Sequence, residues 1–103
     1  LLQAKKAYLS ALTIDPQLIE ANIGLAVVFR QLGKLKEAAK RLNKTIGWIP
    51  FSTWPRLELG RVYCQMKDLD SAMKQLEIIK KLSGDEAEML LFEIKQAFPG
   101  KKQ

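Results

Sequence analysis

The chain has no histidine, a single cysteine at Cys64, and only four prolines in 103 residues. Without histidine there is no Ser-His-Asp triad, no Cys-His pair and no His-containing zinc site. One cysteine excludes an intramolecular disulfide. No apolar run approaches the ~18 residues of a membrane-spanning helix, so membrane insertion is not expected. Leu1 to Tyr8 lack the charged start and cleavage site of a signal peptide, and no other segment states a compartment. A Gly-rich phosphate loop and a metal-ligand cluster are missing too. Asp68, Asp70, Asp85, Glu86 and Glu88 stand at helix starts, where carboxylates complement the helix dipole rather than form acid–base pairs. Neither catalysis nor a cofactor is therefore expected.

What is present suits one globular unit. Residues are 48% hydrophobic, and a chain of this length buries roughly two-thirds of its unfolded surface. Seventeen Lys and Arg against 11 Asp and Glu give a net charge of +6. The excess is concentrated in residues 18–52, where Lys34, Lys36, Lys40, Arg41 and Lys44 fall close together. Such a run can attract nucleic acid or an anionic membrane surface. No aromatic platform interleaves the charges, which favours a solvated helix face over a nucleic-acid site.

Sliding the chain against itself by 34 residues aligns Ala4, Ala38 and Ala72; Tyr8, Leu42 and Leu76; Pro16 and Pro50; Leu25 and Leu59; Ala26 and Gly60; Phe29 and Tyr63; Leu35 and Leu69. Size and chemistry agree at each spacing, as they do in repeat architectures. Each period divides into two amphipathic helices. Residues 18–32 place Asn22, Leu25, Ala26 and Phe29 on one face, and Gly33 ends them. Residues 35–48 stop before Pro50, which cannot continue a helix. A helix over 53–66 is expected to take Ser52 or Thr53 as its cap, and Asp68 caps the helix after it. Ser83 and Glu86 have capping-box spacing for a last helix, 85–98, and Pro99-Gly100 stops it. An opening helix spans 1–14, and Lys101–Gln103 reads as a frayed tail. The small residues Ala26, Gly60, Ala38 and Ala72 are expected where the two helices of a pair cross.

Taken together, Leu25-Ala26, Phe29, Gly33, Ala38, Leu42 and Pro50, then Leu59-Gly60, Tyr63, Ala72 and Leu76, resemble the tetratricopeptide repeat pattern. The resemblance covers essentially the whole chain. Asn22 and Arg56 depart from it by replacing the usual aromatic, Thr45 and Ile79 replace a small alanine, and Gly84 stands where proline is expected. The resemblance implies an all-α, right-handed superhelix of antiparallel helix pairs. Residues 1–17 would be the second half of a repeat, 18–52 and 53–86 full repeats, 87–98 a capping helix and 99–103 a tail. The chain would thus be the C-terminal part of a longer array.

The resemblance also implies a function: a non-catalytic scaffold that binds a partner peptide or helix on the concave side lined by the first helix of each pair. The expected lining is Ile23, Val27 and Arg30, then Trp54, Leu57, Glu58, Arg61 and Cys64, then Leu91, Lys95 and Phe98. It is largely apolar, and exposed apolar clusters mark interaction sites. Arg30 and Arg61 are expected to hold acidic flanks of the partner. Arrays that clamp the acidic tail of heat-shock chaperones carry Lys, Asn and Arg along this groove. Ile23, Gly24, Val27, Glu58 and Arg61 stand there instead, so that clamp is missing. Trp48 is expected to seal the repeat junction, with Phe51 and Trp54 at the edge of a pocket. Met89, Phe92 and Phe98 exceed what packing the last helix requires, which makes a homo-oligomer formed through that end the main alternative. Cys64 is expected to be a packing residue rather than a reactive thiol.

Overall fold

The computed structural model describes residues 1–100 as six α-helices: α1 (Leu2–Ile14), α2 (Ile19–Gln31), α3 (Leu35–Trp48), α4 (Trp54–Gln65), α5 (Leu69–Leu82) and α6 (Gly84–Ala97). The expected tail, Lys101–Gln103, lies outside the described residues. Each helix packs on the next along the chain; in addition α2 touches α4, and α4 touches α6. The contact pattern around α2 thus recurs around α4, as a helical repeat requires. The molecule measures 44 × 27 × 18 Å.

The recurrence reaches single hydrogen bonds. At the end of α2 the Lys34 amide donates to the Phe29 carbonyl at 2.8 Å, and at the end of α4 the Asp68 amide donates to that of Tyr63 at 3.0 Å. Both turns use a left-handed residue, Gly33 at φ 78° and Lys67 at φ 62°. Glycine adopts this conformation freely, whereas Lys67 does so against its Cβ.

The polar residues Asn22 and Arg56, one period of 34 apart, play the same structural part. Asn22 is buried, and its Nδ2 donates to the carbonyls of Pro16 at 3.1 Å and Leu18 at 2.8 Å. Its Oδ1 accepts from Arg41 Nη1 at 2.7 Å. One period later Arg56 donates to the Pro50 carbonyl at 3.1 Å and to Gln75 Oε1 at 3.4 Å. In both repeats a polar side chain on the first helix ties the preceding proline turn to the second helix. The bonded pair is Asn–Arg in one repeat and Arg–Gln in the next.

Two apolar clusters form the core. One gathers Ile23, Ala26, Ala38, Leu42, Ile46, Leu59 and Val62 from α2, α3 and α4. The other gathers Leu57, Ala72, Leu76, Ile79, Leu90 and Ile94 from α4, α5 and α6. Gly60 differs from expectation: a Cβ there would lie 2.7 Å from both terminal methyls of Leu90, so its lack of a side chain admits α6 rather than α5. Gly24 likewise admits the Tyr8 ring of α1, which a Cβ would strike. Asp68 caps α5, accepting from the Ser71 amide at 3.1 Å. That bond and the Ser71 hydroxyl, which contributes most, hold the Asp68 carboxyl below its usual range. Thr53 and Ser83 make no side-chain cap bond, contrary to expectation. Pro55 already stands in the first turn of α4, and the amide it lacks is one that needed no partner.

Candidate functional site

The face shared by α2, α4 and α6 carries the candidate site. A cavity of about 360 Å³ opens between α1, α2 and α4; Tyr8, Ile23, Val27, Trp54 and Glu58 are among its lining. A second, of about 390 Å³, is lined by Arg61 and by Asp85, Glu88, Met89, Phe92 and Glu93 of α6. A smaller hollow of about 270 Å³ on the same face is bounded by Arg30, Arg61, Cys64, Gln65 and Glu93. Trp54 is 43% exposed, Phe92 64% and Met89 49%.

Several expected lining residues prove to be buried. Ile23 belongs to the core, because α2 is packed on α1, α3 and α4 at once and little of its surface stays free. Leu57 is only 6% exposed and is part of the α4–α5–α6 core. Leu91 is half-buried against the same cluster. Phe98, expected to be free for self-association, is 9% exposed and packs in that cluster with Lys67 Nζ 5.7 Å from its ring centroid. Met89 and Phe92 remain open. Lys95 is exposed and lines none of these three hollows.

The two arginines are engaged within the chain. Arg61 Nη1 lies 3.0 Å from Glu58 Oε2, and its Nε donates to Glu93 Oε2 at 2.7 Å and Oε1 at 2.9 Å. Burial works against the Arg61 charge, but the Glu93 hydrogen bond and the Glu58 charge outweigh it and raise its pKa. Arg61 is thus held between two carboxylates rather than offered to an acidic partner. Arg30 Nη1 donates to Gln65 Oε1 at 3.0 Å, joining α2 to α4, while its Nε is buried without a partner. Glu58 is nine-tenths buried, and its Oε1 likewise has no hydrogen-bond partner. Sequence reasoning missed this carboxylate network, although Glu58 and Arg61 at i,i+3 are a readable ion-pair spacing.

Cys64 is buried, and loss of hydration, followed by the Glu93 charge, pushes its thiol up to about 11. It is a packing residue with little thiolate at neutral pH. The basic run on α3 is thinner than its sequence suggests: Arg41 is committed to Asn22, and Lys36, Lys40 and Lys44 stay exposed. Trp48 is half-buried with Lys44 Nζ 5.9 Å from its ring centroid, and Phe51 stands exposed. Among the described residues no group of three Cys, Asp or Glu is placed to hold a metal ion. Among the described residues no helix is long and apolar enough to cross a membrane.

Fold and site together define an all-α protein of six packed helices, compatible with a helical repeat, with an aromatic, carboxylate-bearing face. No family model matches the chain, and a search of curated proteins finds no relative.

Proposed function

We propose that this chain is a tetratricopeptide-like array, a right-handed superhelix whose concave side is the α2–α4–α6 face, and that it binds a partner peptide or amphipathic helix there without catalysing a reaction. The observation that carries the reading is the pair of cavities flanked by exposed aromatics, Trp54 over one and Phe92 over the other. Large apolar side chains left in water beside a concavity are characteristic of protein-binding surfaces. The 34-residue recurrence of turns and hydrogen bonds supports the repeat assignment.

The test is capture of partners by the chain and by a Trp54→Ala/Phe92→Ala variant whose helicity by circular dichroism is unchanged. A partner held by the first and lost by the second supports the groove; a partner held equally by both refutes it. Leu57→Ala is unsuitable as a probe, since truncating a buried leucine costs about 2–5 kcal/mol and confounds binding with folding.

A second reading has its own observation. Met89 and Phe92 lie adjacent and exposed on α6, which suits association between copies of the chain through that helix. Sedimentation equilibrium separates the readings: a mass that doubles with concentration, and stays monomeric in Met89→Lys, favours the end-to-end contact. The exposed lysines of α3 leave a third possibility, an anionic surface, whose binding falls steeply with salt.

A further inference from the structure

The two cavities on this face share three lining positions one repeat apart. Val27, Trp54 and Glu58 line the first, and adding 34 to each number gives Arg61, Glu88 and Phe92, which line the second. Each cavity therefore carries an aromatic ring and a carboxylate one helical turn apart on a single helix, in opposite order: Trp54 then Glu58 on α4, Glu88 then Phe92 on α6. Residues at i and i+4 share a helix face, so ring and carboxylate can meet one ligand group together.

The charge on this face runs against that of the whole chain. No lysine or arginine lines the first cavity, and Arg61 alone lines the second, where it stands against Asp85, Glu88 and Glu93. Arg61 is already shared between Glu58 and Glu93. Asp85 and Glu88 make no ion pair or side-chain hydrogen bond among the described residues. Glu58 adds a sharper requirement, because it is nine-tenths buried and its Oε1 lacks a donor. A buried carboxylate oxygen left unpaired is unfavourable, and a cationic donor satisfies it best.

The geometry points to a basic peptide segment as the occupant: one whose Lys or Arg side chains lay their apolar stems on Trp54 and Phe92 and direct their charged ends to Glu58 and Glu88. An aromatic face attracts a cation, a carboxylate pairs with it, and the stem fills apolar space, so each cavity offers the three elements a Lys or Arg side chain uses. This inference rests on the groove reading and reverses its charge, from acidic flanks held by Arg30 and Arg61 to basic anchors held by carboxylates.

A random dodecamer peptide display library, selected on the intact chain, tests it without a known partner. Selected peptides are then measured by fluorescence anisotropy against the chain, Glu58→Gln/Glu88→Gln and Trp54→Ala/Phe92→Ala. The expected peptides are rich in Lys and Arg beside apolar residues, and either double variant weakens them at least tenfold. Neutral or acidic peptides, or basic ones indifferent to the carboxylate variant, overturn the inference. If such peptides are still lost in the aromatic variant, the groove reading survives without it. No enrichment, or binding indifferent to both variants, sinks the groove reading as well. Should Glu58→Gln unfold the chain, Glu88→Gln alone, at an exposed position, decides the charge question by the same tenfold criterion.

Discussion

Replacing Asn22 by alanine is expected to be among the most damaging polar substitutions in the molecule. Asn22 is buried and makes three side-chain hydrogen bonds, two to carbonyls and one to the Arg41 guanidinium. A neutral bond is worth about 1 kcal/mol net and one to a charged group about 1.5–3. Water can refill part of the Pro16 and Leu18 carbonyls after truncation, which leaves an expected loss of about 2–4 kcal/mol. For a domain of this size each kcal/mol lowers Tm by about 4–8 °C, so the shift is large. Urea unfolding by circular dichroism measures it, with an unchanged slope showing that the unfolded state is the same. A cycle with Arg41→Ala isolates the pair and should give a coupling of about 1–3 kcal/mol. Arg56→Ala at the matching position, with longer bonds and a half-buried side chain, should cost roughly 1 kcal/mol. A cost for Asn22→Ala below about 0.5 kcal/mol, or no coupling to Arg41, refutes the tie between proline turn and second helix.

Four further outcomes follow from particular contacts. Gly24→Ala should destabilise the chain through its clash with the Tyr8 ring, yet stabilise the Tyr8→Ala variant by up to about 1 kcal/mol, since alanine is then the better helix former; calorimetry of the four proteins checks the change of sign. Gly33→Ala meets no neighbouring atom, so its expected loss of about 1–2 kcal/mol is backbone strain alone, whereas Lys67→Gly removes such strain at the matching turn. The Cys64 thiol is pushed up to about 11, so stability is full below the unfolded thiol pKa of about 8.5 and falls as pH rises towards 11; Cys64→Val should abolish that slope in alkaline urea titrations. Asp68 acts oppositely, because its folded pKa is lowered: its contribution is present above about pH 4 and lost as pH falls through the folded value. Asp68→Ala should therefore lower the urea midpoint at pH 7 more than Ser83→Ala, and the difference should close in acid.

Helix periodicity, proline placement and the 34-residue spacing determined the six helices and their bounds to within one or two residues, because these depend on neighbours a few positions away. The cap at Asp68 and the turn at Gly33 were legible for the same reason. Exposure was not. Ile23, Leu57 and Phe98 lie on helix faces that periodicity marks as apolar, but whether such a face meets solvent or a neighbour depends on helices far along the chain, and here neighbours cover them. Partnership was hidden likewise. Arg61 reads as a free cation until α6 brings Glu93 within 2.7 Å, and Arg41 reads as part of a basic run until α2 brings Asn22. Local sequence thus determined which helices form and where they stop. Only the tertiary structure decided which apolar side chains stay open, which charges are already paired, and that the carboxylate of Glu58 is left with one oxygen unanswered.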